Sequence, residues 1–163
     1  DERARERLDA ALASDRPLVI DGDALRLVSV ETIAARSAPT ILTPHTGEFD
    51  ALFGPSDAAK TDRALAAARA SGATIVFKGA DTVIAAPDDS VRVAAGASTW
   101  LSTAGTGDVL AGLVAARLAV TRDPLTAAGE AVWLHGEAAR RAGPAFVADN
   151  LVRHLPEAIA ACL

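Results

Sequence analysis

A glycine-rich turn at residues 103–108 contains the residue types that phosphoryl transfer needs. Its sequence is Thr-Ala-Gly-Thr-Gly-Asp, and a helical pattern follows it to about Leu118. Gly105 and Gly107 permit a sharp turn whose backbone N–H groups, with the positive end of the helix dipole, form an anion site. Asp108 stands beside it, where a carboxylate can take a proton from an attacking hydroxyl. The alternative is a plain glycine turn in which Asp108 only caps the helix.

Two more polar turns follow short apolar runs that are typical of buried strands. Lys78 ends one run, and it is either a point charge for a nucleotide phosphate or a solvated loop lysine. His45 and Glu48 follow another run, where they could bind a polar substrate or a Mg²⁺-bound phosphate; alternatively, Thr46 and Glu48 only open the next helix. In an open α/β sheet, ligands bind at the carboxyl ends of the strands, and these turns occupy that position.

The other two histidines carry weaker functional signals. His135 belongs to an amphipathic helical pattern with Trp133 and Leu134, so we interpret it as a packing or surface residue. His154 is even less suggestive of a function. Because the three histidines lie far apart in the sequence, they lack the spacing of metal ligands.

Short apolar runs alternate with helical patterns along the chain. The predicted strands are residues 18–20, 40–42, 73–77, 82–85 and 91–93, with a hairpin between the last two. The predicted helices are an opening helix before Pro17, a short helix around 49–53, and residues 57–71, 106–118, 123–142 and 147–161. The apolar runs do not alternate with polar residues, which favours a mostly parallel sheet with helices on both faces.

Composition and charge argue against several classes of function. The 163 residues include 16 basic and 21 acidic side chains, for a net charge of −5, so we expect neither a nucleic-acid partner nor binding to an anionic membrane. No apolar run reaches membrane-spanning length. The single cysteine, Cys162, excludes an internal disulfide framework and a cysteine zinc cluster, and it fits a reducing cytoplasm.

Four segments carry a family resemblance by their order and spacing. They are ILTPHTGEFDALFG, IVFKGADTVIA, STAGTGDVLAGLVAARLA and AVWLHGEAARRAG. Together they resemble the ADP/ATP-dependent NAD(P)H-hydrate dehydratase family of the ribokinase-like superfamily. GTGD alone is shared by many small-molecule kinases, whereas the TPHxGE and KGxxT turns beside it are specific. The resemblance covers residues 17–161 and implies one ribokinase-like domain over 1–163, a three-layer αβα fold with a mostly parallel central sheet that lacks its N-terminal strands.

The resemblance also implies roles for individual residues. It assigns His45 and Asp108 to the hydrated nicotinamide nucleotide, with Asp108 as the catalytic base. It assigns the phosphoryl donor, ADP or ATP, to a larger set: Lys78, Gly79, Ala80, Asp81, Thr82, Gly105, Thr106 and Gly107. Glu48 is expected to help place Mg²⁺, directly or through water.

The implied activity is the repair of hydrated NADH and NADPH, by phosphorylation of the ring hydroxyl and loss of phosphate. Two alternatives remain: a ribokinase-like kinase for a vitamin precursor or sugar, and a non-catalytic nucleotide-binding fragment. Family members carry a further N-terminal segment, so we expect this chain to be truncated and to lack part of the substrate site. We then expect Leu18–Ile20 or a neighbouring strand to form an exposed edge, which favours homo-oligomers.

Overall fold

A computed structural model describes residues 2–162, so the two terminal residues of the predicted domain lie outside the described part. The strands are β1 (Leu18–Ile20), β2 (Thr40–Leu42), β3 (Thr74–Phe77), β4 (Thr82–Ala85) and β5 (Val91–Ala94). The helices are α1 (Glu2–Leu12), α2 (Val30–Ala34), α3 (Thr46–Phe53), α4 (Lys60–Ser71), α5 (Thr106–Thr121), α6 (Pro124–Ala142) and α7 (Ala148–Ala160). Two 3₁₀ turns, Gly22–Arg26 and Thr99–Ser102, lie after β1 and before α5.

Within residues 2–162, the five strands form one sheet in the order β1-β2-β3-β4-β5. β1, β2 and β3 pair in parallel, and β4 is antiparallel to both of its neighbours. Four strands therefore run in one direction and only β4 runs against them, which agrees with the predicted mostly parallel sheet and the predicted hairpin. The carboxyl ends of β1, β2 and β3 lie at one edge, where the polar turns of the sequence are found.

Helices cover both faces of the sheet, and each face has its own apolar core. Ile41, Val76 and Ile84 point to the face covered by α5, α6 and α7. Leu42, Ile75, Phe77, Val83 and Ala85 point to the opposite face, with residues of α2, α3 and α4. This alternation of side chains along the strands produces the predicted three-layer arrangement. None of the helices described within residues 2–162 is long and apolar enough to cross a membrane.

Capping residues set several helix boundaries. Gly72 ends α4 in the left-handed conformation, with a φ of 65°, as its place after the predicted helix suggested. Asp123 begins α6, because its side chain accepts a hydrogen bond from the N–H of Thr126, and Pro124 occupies the first turn.

Some predicted boundaries were wrong. α4 begins at Lys60, with Ala59 as its N-cap, so Asp57 lies outside the helix. α3 begins at Thr46, three residues before the apolar pattern that predicted it, because its first turn is polar. The five-residue helix α2 and the two 3₁₀ turns were not predicted, since elements this short contain too few residues to show a periodic pattern.

Candidate active site at the carboxyl edge of the sheet

Three loops meet where β1, β2 and β3 end, and they begin at Asp21, Thr43 and Lys78. The backbone N–H of Lys78 donates to the carbonyl of Pro44 at 2.8 Å. The N–H of Thr43 donates to the carbonyl of Ile20 at 3.1 Å. Hydrogen bonds of the backbone therefore hold the three loops side by side, as the parallel strands lead one to expect.

The ammonium of Lys78 lies between two carboxylates. Its Nζ is 2.7 Å from Asp21 Oδ1 and 3.7 Å from Glu48 Oε2, and all three side chains are at most 19% exposed. The hydroxyl of Thr43 donates to the same Asp21 Oδ1 at 2.7 Å. Lys78 is thus held in place by a largely shielded ion pair, and it does not extend into solvent as a loop lysine would.

His45 is the N-cap of α3. Its Nδ1 accepts a hydrogen bond from the N–H of Glu48 at 3.2 Å, and Glu48 Oε2 accepts one from the N–H of His45 at 2.8 Å. This reciprocal pair is a capping box with histidine in the place that Ser or Thr usually takes. Glu48 is buried, whereas the His45 side chain is 53% exposed, with its Nε2 3.3 Å from Glu48 Oε1. The pair opens the helix, and the imidazole remains accessible to a ligand.

The glycine-rich turn lies against Lys78. Gly105, the N-cap of α5, has a φ of 87°, which glycine adopts readily, and because it has no side chain it does not cap the first N–H groups of the helix. A Cβ placed on Gly107 would lie 3.5 Å from Lys78 Nζ and 3.9 Å from Asp21 Oδ2. Asp108 is exposed in the first turn of the same helix. The N-terminal amides of α5, the Lys78 ammonium and the Asp21 carboxylate therefore lie within one small region, and Asp108 follows Gly107 in the chain.

Thr106 and His135 support this turn from the inside. Thr106 is buried, with its Oγ1 2.6 Å from the carbonyl oxygen of Leu101 and 2.8 Å from that of Thr103. With the proton on Nε2, His135 of α6 donates to the carbonyl of Thr106 at 2.9 Å. Burial lowers the pKa of His135, which favours the neutral imidazole. His135 is a packing residue, and what it packs against is the candidate site.

The residues after Lys78 form a turn that leads into β4. Residues 79–81 are exposed, whereas Thr82 is buried at the start of the strand. The carbonyl of Ala80 accepts a hydrogen bond from the N–H of Ala97 at 3.2 Å. This bond ties the turn to the segment that follows β5.

A cavity of about 540 Å³ opens beside this turn. Its wall includes Thr82, residues 94–98, Trp100, Leu101 and His135. Thr82 belongs to the predicted nucleotide turn and His135 supports the glycine-rich turn, so the cavity extends between the two. A largely apolar concavity of this size suits a small organic ligand.

Metal ligation has weaker support. Across residues 2–162, no cluster of three or more His, Cys, Asp or Glu side chains is arranged to hold a metal ion. Glu48, the predicted Mg²⁺ residue, already accepts a hydrogen bond from the N–H of His45 and lies near the Lys78 ammonium. Its oxygens therefore fit a water-mediated contact with a phosphate-bound ion better than a direct one.

The structure thus brings His45, Glu48, Lys78 and Gly107 to one edge of the sheet, while His154 lies on α7, 3.5 Å from Glu157. The sequence interpretation assigned no role to Thr43, to Lys60 or to the carboxylate of Asp21. Asp21 carried a signal, since it belongs to a polar turn after a strand. Lys60 carried a weaker one, as the second of only two lysines.

The family model described as NAD(P)H-hydrate dehydratase matches residues 1–160. The chain belongs to this family. It is similar to the bifunctional NAD(P)H-hydrate repair enzyme Nnr of Gloeobacter violaceus, with 49% identity over 126 residues. It is also similar to the ADP-dependent (S)-NAD(P)H-hydrate dehydratase of Neisseria meningitidis, with 38% identity over 134 residues. These matches cover 74% and 77% of this chain, and 24% and 45% of the relatives.

Solved structures of similar proteins have the same fold. The ADP/ATP-dependent NAD(P)H-hydrate dehydratase of Bacillus subtilis, co-crystallised with ATP and Mg²⁺, has a TM-score of 0.88 and 30% identity. A ribokinase-like superfamily protein of Enterococcus faecalis has a TM-score of 0.79 and 27% identity. These matches cover 99% and 97% of this chain, and 60% of each solved chain. The predicted family and the ribokinase-like fold are confirmed, and the chain spans less than two thirds of each of these proteins.

Proposed function

We propose that this chain performs the nucleotide-dependent dehydration of hydrated NADH and NADPH, with ADP or ATP as the phosphoryl donor. The observation that carries the proposal is the position of Gly107, whose Cβ would lie 3.5 Å from Lys78 Nζ. An uncapped helix N-terminus and an ammonium there form a site for a phosphoryl group. Asp108, one residue further along the helix, supplies the carboxylate that the reaction requires.

On the donor side, the amides at Gly105–Gly107 and the Lys78 ammonium bind the phosphates. Residues 79–82 hold the rest of the nucleotide. The cavity between the two turns, with Thr82 and Trp100 in its wall, receives the adenine ring of the nucleotide. The membership in the family and the co-crystallisation of the Bacillus subtilis dehydratase with ATP support this assignment.

On the substrate side, His45 orients the hydrated nicotinamide ring, and Asp108 is the base. Asp108 takes the proton of the ring hydroxyl as that oxygen attacks the terminal phosphorus of the donor, and the bond from phosphorus to the donor oxygen breaks. The α5 amides stabilise the charge on the transferring group. Phosphate then leaves from the ring carbon, assisted by the ring nitrogen lone pair. Loss of a proton from the adjacent carbon restores the double bond.

Magnesium neutralises charge on the donor phosphates in reactions of this kind. This chain would contribute to its binding through Glu48, by way of a water molecule. Two observations support this role: Glu48 lies at the same edge of the sheet as Lys78 and Gly107, where the donor phosphates would bind, and the Bacillus subtilis dehydratase was co-crystallised with Mg²⁺ as well as ATP.

The test is to mix this chain with hydrated NADH, Mg²⁺ and either ADP or ATP. We expect nucleotide-dependent recovery of dihydronicotinamide absorbance, with release of an equal amount of orthophosphate. Accumulation of a stable phosphorylated vitamin precursor or sugar, with no recovery, would contradict the proposal and favour a kinase. Binding of adenine nucleotide without turnover of any substrate would favour a non-catalytic nucleotide-binding protein.

We further propose that copies of the chain associate and that it works in the cytoplasm. β1 lies at one edge of the sheet, with Leu18 and Val19 only partly buried, and such edges favour pairing with another copy. The free and exposed Cys162 suits a reducing compartment. Light scattering should give a mass above that of the 16.6-kDa chain, and a monomer at every concentration would contradict the association.

A further inference from the structure

Lys60, the first residue of α4, reaches across to the turn that follows β3. Its partly buried ammonium donates to the carbonyl of Lys78 at 3.0 Å and to the carbonyl of Asp81 at 2.6 Å. It also lies 4.6 Å from the centre of the Phe77 ring. One side chain therefore joins both ends of the turn, which lies 18 to 21 residues further along the chain.

The ammonium of Lys60 fills the space inside the turn. A Cβ placed on Gly79 would lie only 2.6 Å from Lys60 Nζ, a distance too short for two atoms that are not bonded. The absence of a side chain at Gly79 is thus what allows the ammonium to approach. Burial lowers the pKa of Lys60, while the charge of Asp81 opposes this change.

The direction of these hydrogen bonds has a consequence for the other side of the turn. In a trans peptide, the carbonyl and the following N–H point in opposite directions, and residues 2–162 contain no cis peptide bond. Since the Lys78 carbonyl points toward Lys60, the N–H of Gly79 points away from α4. Without the ammonium, two carbonyl oxygens would converge on one place with no donor, and the peptide groups that follow Lys78 and Asp81 would lose the hydrogen bonds that orient them.

We propose that Lys60 is a positioning residue for the phosphoryl donor, because it fixes the Lys78 and Asp81 carbonyls and so directs the N–H of Gly79 toward the nucleotide. This inference rests on the proposed function, and it adds a residue that the family motifs do not include. Lys60 itself does not touch the donor. Its contribution passes through the backbone of the turn.

The test compares Lys60→Met, which keeps the apolar stem, with Lys60→Arg, which keeps charge and donors. Arg69→Gln is the matched control, since Arg69 lies on the same helix and pairs at the surface with Asp89 at 2.6 Å. We expect Lys60→Met to raise the KM and the Kd for adenine nucleotide about tenfold, equivalent to ~1.4 kcal/mol, with kcat nearly unchanged. Lys60→Arg should recover most of the affinity, and Arg69→Gln should bind as the parent does.

A purely structural role would lower the melting temperature of Lys60→Met and leave the nucleotide Kd unchanged, which would overturn the proposal. Gly79→Ala provides a second route if that variant folds poorly, because its methyl group would displace the ammonium. We expect Gly79→Ala and Lys60→Met to weaken binding by less in combination than the product of their separate effects, since both remove the same contact. Fully multiplicative effects would contradict the proposal.

Amide hydrogen exchange separates this inference from the proposed function. Exchange in residues 78–82 of the nucleotide-free chain should be faster in Lys60→Met than in the parent and in Arg69→Gln. If the parent binds no adenine nucleotide, the proposed function fails, and faster exchange still shows that Lys60 orders the turn. Unchanged exchange would overturn the positioning role, whatever the chain binds.

Discussion

The two helical layers of the molecule place their share of the site by different means. We call α5, α6 and α7 the alanine layer, since its buried residues on α6 include Ala127, Ala128, Ala131, Ala138 and Ala139. We call α3 and α4 the aromatic layer: α4 also buries Ala64, Ala67 and Ala68, but its Arg63 lies over the stacked rings of Phe49 and Phe77, whose centres are 4.1 Å apart. The alanine layer carries the glycine-rich turn and Asp108, and the aromatic layer carries His45, Glu48 and Lys60.

The alanine layer positions backbone. Alanine has no side-chain rotamers to order, and its small volume lets helices pack closely, so the start of α5 is fixed by helix packing and by the His135 bond to Thr106. What this layer offers to a ligand is mostly N–H groups. Asp108 is the one acidic side chain in the first turn of α5.

The aromatic layer positions side chains. The guanidinium of Arg63 lies 4.8 Å from the centre of the Phe49 ring and 5.3 Å from that of Phe77, and it pairs with Asp50. These contacts join α3, α4 and the end of β3, immediately before Lys78. Substitutions of single side chains should therefore act differently in the two layers. At Asp108 a substitution should change catalysis, and in the aromatic stack it should change stability.

The largest effect is expected from Asp108→Asn. Asparagine keeps the shape of the side chain but cannot accept the proton, so the rate of dehydration should fall roughly 10²–10⁴-fold while adenine nucleotide still binds. Nucleotide-dependent recovery of dihydronicotinamide absorbance measures the rate, and calorimetry measures the binding.

Asp149→Asn is the matched control for Asp108→Asn. Asp149 is also an exposed aspartate in the first turn of a helix, α7. If Asp108 served only to cap its helix, the two variants would lose similar amounts of stability, and Asp108→Asn would keep more than a third of the parent rate. That result would show that Asp108 is not the catalytic base.

The second prediction compares the two layers by their stability. Phe77→Ala removes a buried ring from the aromatic stack and should lower the free energy of unfolding by about 3–5 kcal/mol. Ala131→Leu puts a larger side chain at a fully buried position of the alanine layer and should lower the free energy of unfolding by about 1–3 kcal/mol. Urea denaturation measures both. The matched controls are Val93→Ala and Ala66→Leu, at exposed positions, and they should change it by less than about 0.5 kcal/mol.

If substitution at either buried position left the free energy of unfolding nearly unchanged, the proposed difference between the two layers would be wrong. If Ala131→Leu unfolds like its exposed control, the alanine layer contains space that the structure does not show. If Phe77→Ala lowers the free energy of unfolding no more than Val93→Ala, the stack with Phe49 does not join α3 to the sheet.

The sequence predicted the strands to within one residue and the edge at which the polar turns meet. Apolar runs such as Leu18–Ile20 and Thr40–Leu42 are followed by the polar turns that begin at Asp21 and Thr43, and parallel order brings their ends together. The family motifs predicted one nucleotide site from the glycine-rich turn and the Lys78 turn, and in the structure Gly107 lies beside Lys78. Such features depend on local sequence and on strand order, both of which can be inferred from one chain.

The pairing of particular side chains could not be predicted. Asp21 and Lys78 are 57 residues apart, and Lys60 and Asp81 are 21 apart, so no local pattern links them. Whether such groups meet depends on side-chain conformation and on how closely α4 approaches the turn. Burial of His135 against Thr106 likewise depends on how α6 packs on α5, which apolar periodicity does not specify.

The smallest effect is expected from His135→Gln, measured as the pH dependence of the melting temperature. Burial lowers the pKa of His135 in the folded chain, so between its ordinary value of about 6.5 and that lowered value the unfolded chain binds more protons. The contribution of the neutral His135 to the free energy of unfolding is therefore fully present above about pH 6.5, and it decreases as the pH falls from this value to the lowered pKa. A glutamine can still donate to the Thr106 carbonyl but does not titrate, so we expect a flatter profile between pH 7 and 5.

His154→Gln is the matched control, because His154 lies on the outside of α7 next to Glu157 and its profile should follow that of the parent. Glu137, whose pKa is lowered to about 2 by hydrogen bonds from Arg140 and Arg141, loses its contribution to stability as the pH falls from its ordinary value of 4.5 toward the lowered one, and it does so equally in the parent and in both variants. Parallel profiles for the parent and His135→Gln would show that protonation at this position is tolerated. The glycine-rich turn would then depend on the packing of the alanine layer and not on a neutral imidazole beneath it.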